Sequence, residues 1–283
     1  HCKNYDKGKG SMMSKIGGFI GVVHLGAMPG DPGHDGGGFQ GVEAWALADA
    51  AALASGGADG LILENFGSTP FPKGTAGQRT PPHQVAFMGS LARRLKELHP
   101  ELMLGINCLR NDARAALGIA AAAGADFIRV NVHTGAMLTD QGLIEGEAAE
   151  TLRYRDALGA QDVAILADIL VKHAAPLAPA DPAEVTRECL ERGLADGAIV
   201  TGRATGGPID VATLEQVRGA CGAKPVILGS GVSPDNAATL CPLADGAIVG
   251  TWIKEGGDVH APVDPERVRV LAKVLSEFFA ERC

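Results

Sequence analysis

Residues 224–254 read KPVILGSGVSPDNAATLCPLADGAIVGTWIK, and the fold is decided here. The apolar run 226–228 stops at Gly229-Ser230-Gly231. A helical segment opens at Pro234, and a second apolar run, 247–249, stops at Gly250-Thr251. Strand, glycine turn, helix, strand, glycine turn is how the last two units of a (β/α)8 barrel make a phosphate site. Glycine lets the backbone approach an anion closely, and N–H groups at a helix N-terminus point at it. The plainer reading is that the glycines only make tight turns. Two adjacent strands ending the same way favour phosphate. The expected phosphate-binding residues are Gly229, Ser230, Gly231, Gly250 and Thr251, with Gly202 after the sixth strand.

The same alternation fills the rest of the chain. Short apolar runs at 19–24, 61–64, 103–107, 127–131, 164–168 and 198–201 read as six more strands. Ala/Leu-rich segments at 42–55, from Pro81-Pro82 to 99, 112–123, 148–158, 182–192, 211–221 and 265–280 read as helices. With the helix from Pro234, that is eight strands and eight helices in strict alternation, the sign of parallel βα units. The fold class is α/β, a single (β/α)8 barrel over residues 14–283. A doubly wound open sheet usually has five or six strands. Residues 1–13 are polar and glycine-rich without periodicity, and read as a disordered tail or expression remnant.

The 283 residues suit one large barrel domain, and 46% hydrophobic residues suit an ordinary globular protein. A net charge of -8 argues against a general nucleic-acid binder, which needs a basic face. No apolar run approaches the ~20 residues of a membrane span, so direct membrane insertion is not expected. A cytoplasmic location is the default expectation. The six cysteines are scattered, without CxxC or zinc-ligand spacing, and read as reduced and structural.

Barrel chemistry sits at the C-terminal ends of strands. Those ends carry His24, Glu64 with Asn65, Asn107, Arg129 and Asn131 with His133, Asp168, Thr201, Ser230 and Thr251. Glu64 and Asp168 are the expected acid–base pair, able to face each other across the mouth. Either could instead be a structural carboxylate bonded to loop N–H groups. His24 suits a proton shuttle, a substrate ligand or a metal ligand, or a structural donor to a loop carbonyl. Asn65, Asn107, Arg129, Asn131, His133 and Thr201 are expected to contact substrate. For His133 and His173 an ordinary surface-loop role is the simpler reading. By ligand type, His24, Glu64, His133 and Asp168 also make a mixed divalent-metal site possible, and no other cofactor is expected. Arg110, Asn111, Lys172, Arg203 and Lys254 follow strands. Lys254 could pair with a phosphate or be an exposed lysine. No lysine lies inside a predicted strand, which counts against a class I aldolase.

GVVHLGAMPG, ADGLILENFGSTPF, GINCLRND and DFIRVNVHTGAMLTDQGLIEG together resemble the BtpA/SgcQ family of TIM-barrel proteins, from about residue 18 to the C-terminus. The resemblance implies a TIM barrel. It also implies an association with photosystem I biogenesis or stability through one member, and with sugar utilisation through others. It supplies no agreed catalytic residues. More loosely, ILGSGVSPDN with DGAIVGTWIK is similar to the tryptophan synthase α-chain, which implies a phosphorylated sugar or phosphoribosyl ligand. ENFGSTPF matches that enzyme's acid–base pattern only at Glu64.

Three functions remain open. One is an enzyme on a phosphorylated or nucleotide-derived sugar, by isomerisation, retro-aldol cleavage or N-glycosidic cleavage. The others are a non-catalytic biogenesis factor and a metal-dependent hydrolase. The expected partner is a small phosphorylated substrate. Barrels of this kind commonly associate through helices, so a homo-oligomer is possible.

Overall fold

The structure is a computed structural model that describes residues 16–202 and 207–279. The expected tail, Arg203, Cys2, Cys283 and the last predicted helical residue, Ala280, lie outside the described residues.

In chain order the strands are β1 (Gly18–His24), β2 (Gly60–Glu64), β3 (Met103–Asn107), β4 (Phe127–Val130), β5 (Ala136–Thr139), β6 (Gly142–Glu145), β7 (Ala164–Ile169), β8 (Ala174–Pro176), β9 (Gly197–Val200), β10 (Val226–Leu228) and β11 (Gly246–Val249). Eight of them close a parallel barrel in the order β1-β2-β3-β4-β7-β9-β10-β11, with β11 returning to β1. The helices are α1 (Gly38–Gly56), α2 (Pro82–Leu98), α3 (Ala113–Ala123), α4 (Ala148–Ala157), α5 (Pro182–Arg187), α6 (Val211–Ala220), α7 (Ala237–Leu240) and α8 (Pro265–Phe279).

Helix starts follow local chemistry. Asp112, Asp181 and Asp210 each accept N–H bonds from the first turns of α3, α5 and α6. Pro82 and Pro182 sit where a missing N–H costs nothing.

Two apolar layers hold the barrel. Inside it, Ile20, Val22, Ile62, Leu166, Ile199, Ile227 and Ile248 pack around Phe127. Gly105 makes room for that ring, because a Cβ there would lie 2.2 Å from Phe127 Cζ. Outside it, the other strand faces pack against the helices, as with Leu53 of α1 and Leu271 of α8.

Two expectations need correction. The segment after β10 is not helical from Pro234. The Asn236 side chain accepts from Ser233 N–H and donates to the Gly231 carbonyl, tying residues 231–236 into a turn, and α7 has only four residues. The predicted helix at 182–192 is α-helical only to Arg187 and continues as a π-helical turn, Glu188–Arg192. Beyond those expectations, the segments after β4 and β7 carry further structure. They carry β5, β6 and β8, an antiparallel sheet ordered β6-β5-β8. Met137 and Ile144 of that sheet pack on Val132 and Val171. Cys108, Cys189, Cys221 and Cys241 are free and buried. No helix among the described residues is long and apolar enough to cross a membrane.

Candidate active site

Side chains alternate along a strand, so the residue two beyond each inner apolar residue faces the barrel mouth. From Val22, Ile62, Gly105, Phe127, Leu166, Ile199, Ile227 and Ile248, that step reaches His24, Glu64, Asn107, Arg129, Asp168, Thr201, Gly229 and Gly250. Six strands therefore put a polar side chain into one layer, while β10 and β11 put none. The two glycines leave a hole on one side of the mouth. It is a needed hole. A Cβ on Gly250 would lie 2.8 Å from His24 Cε1, and one on Gly229 would lie 2.7 Å from Thr201 Cγ2 and 3.3 Å from an Arg129 guanidinium nitrogen.

A cavity of about 350 Å³ occupies this side, lined by Gly229, Ser230, Gly231, Ser233, Gly250 and Thr251 among others. The N–H groups of Ser230, Gly231 and Thr251 make no hydrogen bond among the described residues, and neither does the buried Ser230 hydroxyl. Gly231 has φ +73°, a conformation that favours glycine. A larger cavity of about 890 Å³ opens beside it, with Phe66, Phe71, Trp45 and His260 on its walls. His24, Glu64, Arg129 and Lys172 line both.

At this seam Glu64 is buried, with Oε2 accepting from Asn107 at 2.6 Å. Its Oε1 is left facing His24 Nε2 at 3.9 Å, too far for a hydrogen bond. The His24 ring packs on Phe66 with centroids 4.5 Å apart, and its Nδ1 is buried without a partner among the described residues. Burial pushes the His24 imidazole well below its ordinary pKa, and Lys254, Lys172 and His260 add to this. The ring is therefore neutral at pH 7.

Asp168 shares this layer but is buried and lines neither cavity. Both oxygens accept from Arg129, at 2.8 and 3.0 Å, and Oδ2 also accepts from Asn131 at 2.7 Å. Burial opposes the Arg129 charge, but the Asp168 carboxylate outweighs it, and the guanidinium pKa lies above its ordinary value. Asp168 is thus the buried support that aims Arg129 and Asn131 at the cavity, where both appear on the wall.

Other expected site residues turn elsewhere. Asn65 is a clamp, donating to the Leu109 carbonyl and accepting from its N–H. His133 is not a surface-loop residue: it is 1% exposed, and its Nε2 lies 2.8 Å from the Gly193 carbonyl. Burial lowers its pKa. Thr201 packs its methyl under Gly229. Gly202 serves backbone packing, since a Cβ there would lie 2.3 Å from the Gly207 carbonyl. With His133 on Gly193 and Asp168 on Arg129, the His24/Glu64/His133/Asp168 metal set does not assemble. Among the described residues no group of three or more His, Cys, Asp or Glu is placed to hold a metal.

Two lysines depart from expectation. Lys254 is neither exposed nor on the phosphate turn. It is fully buried, and its Nζ lies 2.5 Å from Asp49 Oδ2 of α1, while Asp49 Oδ1 accepts from Val263 N–H. Lys172, three residues past β7, reaches the seam although no strand carries it. The signal for it in the sequence was only its place shortly after Asp168.

Comparison with known proteins adds the following. The BtpA family profile matches residues 15–277. The Photosystem I biogenesis protein BtpA of Synechocystis is 47% identical over 258 residues, covering 91% of this chain and 88% of that protein. A protein of Pyrococcus furiosus named as uncharacterized is 45% identical, covering 90% of this chain and 93% of its own. Among solved structures, phosphoribosyl anthranilate isomerase from Thermus thermophilus aligns with TM-score 0.53 at 14% identity, covering 92% of this chain and 98% of that one. At that identity the likeness is one of fold.

Proposed function

This chain belongs to the BtpA family, and from its barrel mouth we propose that it is an enzyme acting on a phosphorylated sugar or nucleotide-derived sugar. The observation that carries the reading is the paired-glycine hole at Gly229 and Gly250. It holds unbonded N–H groups of Ser230, Gly231 and Thr251, and it adjoins a carboxylate. Preorganised N–H groups suit a phosphate, with Arg129 supplying positive charge on the same wall. Glu64 is the proton-transfer group, since Asn107 fixes one oxygen and leaves the other facing the cavity. Neutral His24 beside it orients substrate or relays the proton. Isomerisation, retro-aldol cleavage and N-glycosidic cleavage all need a proton moved near an anchored phosphate.

The test is a thermal-shift panel of inorganic phosphate, sugar phosphates and the matching unphosphorylated sugars. A ligand that binds only the folded state raises the midpoint. The reading expects shifts with phosphorylated members only, lost in Gly231→Trp. Equal shifts in wild type and variant would remove the phosphate site.

A second reading, a non-catalytic biogenesis factor, draws support from the printed name of the Synechocystis relative. It also draws on Leu138 and Leu143, a cross-strand pair 54% and 41% exposed on the small sheet. The readings separate in a strain that depends on the Synechocystis relative. Rescue by wild type but not by Glu64→Gln supports the enzyme; equal rescue by both supports the factor.

A further inference from the structure

Lys172 stands at the same seam as His24 and Glu64, with no part in anchoring the phosphate or in the Glu64 proton transfer. It lines both cavities, as do Glu64 and His24, so it stands between the phosphate turn and the space for the rest of a substrate. Among the described residues its ammonium makes no hydrogen bond or ion pair. The backbone that presents it is held in an unusual shape. Leu170 and His173, on either side, have φ of +54° and +55°, a region that residues other than glycine rarely occupy. Such conformations persist where surrounding structure enforces them, and they cluster at functional sites. Here Arg110 supplies part of that enforcement, donating from Nη2 to the Lys172 carbonyl at 2.6 Å. Arg110 is itself buried and faces the larger cavity.

We propose that Lys172 is a nucleophilic amine that forms an imine with the carbonyl carbon of an open-chain sugar phosphate seated in this cavity. This rests on the reading of the glycine turns as a phosphate anchor. A lysine usually serves this role from within a strand; here a strained loop brings the lysine to the wall shared by both cavities. The environment suits it. Burial, then the neighbouring Arg129, lowers the Lys172 pKa, with Glu64 and Asp168 only partly opposing. A larger share of the amine is thereby neutral and able to attack.

The step balances without a further reagent. Glu64 first takes a proton from the Lys172 ammonium; the neutral Nζ then adds to the carbonyl carbon, the C=O electron pair moves to oxygen, and a proton shifts from nitrogen to that oxygen. The hydroxyl of the resulting carbinolamine takes a second proton from Glu64 and leaves as water, giving a protonated C=N bond. Glu64, now a carboxylate, removes the proton from the adjacent carbon, and the electron pair flows toward nitrogen.

The experiment uses pyridoxal 5′-phosphate, an aldehyde that carries its own phosphate, on the full chain. Borohydride reduction follows, then peptide mass mapping. Lys172 should be the first lysine modified, inorganic phosphate should protect it, and Lys172→Arg should lose that adduct while keeping the wild-type unfolding midpoint. A second arm uses acetaldehyde with cyanoborohydride, which needs no phosphate site. Labelling of Lys172 ahead of surface lysines in both arms, without phosphate protection, keeps the nucleophile and removes the phosphate anchor. Phosphate stabilisation of the protein with Lys172 labelled no faster than surface lysines in either arm overturns the imine and keeps the anchor.

Discussion

His24 Nε2 stands 3.9 Å from Glu64 Oε1, with the two residues ending neighbouring strands in register. The imidazole is neutral because burial depresses its pKa well below 6.5. That has a consequence for stability. The unfolded chain takes up a proton on this residue as pH falls through about 6.5, and the folded chain does not. Stability present above that pH is lost as pH falls toward the folded value, at up to about 1.4 kcal/mol per pH unit for one proton. His24→Asn should flatten this dependence between neutral and mildly acidic pH. Urea midpoints across that range read it out, and an unchanged slope would sink the assignment.

Glu64→Gln keeps the size of the side chain and removes its ability to take a proton. Ligand affinity by calorimetry should stay close to wild type, while turnover of the cognate sugar phosphate should fall by roughly 10²–10⁴. Full turnover in the variant would take Glu64 out of proton transfer.

Arg129 and Asp168 form a buried pair whose second function is to aim Arg129 at the cavity. Arg129→Met strands the Asp168 charge and should cost about 3–5 kcal/mol in chemical unfolding. Adding Asp168→Leu should recover much of that loss without restoring ligand binding. Stability recovered together with binding would mean the pair is structural only.

Lys254 and Asp49 form a second buried pair, tying the segment after β11 to α1. Lys254→Met should cost stability on the same scale, about 3–5 kcal/mol, and leave phosphate binding intact once the protein is folded. Loss of phosphate affinity in folded Lys254→Met would instead restore this lysine to the anion site.

The barrel was legible because seven of its eight strands are short apolar runs ended by glycine or a polar residue, as Met103–Asn107 and Val226–Leu228 are, while β7 runs one residue past Asp168 to Ile169. Alternation also made the mouth layer readable, since Glu64 and Gly250 follow from inner apolar residues two positions earlier. Pairing across the sequence was not legible. Asp168 looks like a free carboxylate in the chain, and only the fold brings Arg129 and Asn131 onto it. Lys254 reads as a surface lysine until Asp49, far off in sequence, meets it. Lys172 was hidden for a different reason. It sits between two left-handed backbone residues, Leu170 and His173, whose types give no hint of that conformation. The small sheet is hidden because its β5–β6 hairpin consists of two runs of only four residues, and β8 joins β5 only through a long excursion.

Gly250 offers a test by volume. A side chain there collides with the His24 ring, so Gly250→Val should fill the hole and displace the imidazole. Phosphate protection and sugar-phosphate binding should both fall, with the barrel's far-ultraviolet dichroism unchanged. Unaltered binding would mean the anion sits elsewhere in the mouth.

The most direct measurement is a crystal structure of the wild-type chain soaked with inorganic phosphate. The account predicts a phosphate within hydrogen-bond distance of the Ser230, Gly231 and Thr251 N–H groups. A barrel with phosphate bound only at other sites, and the glycine hole filled by water, would contradict it.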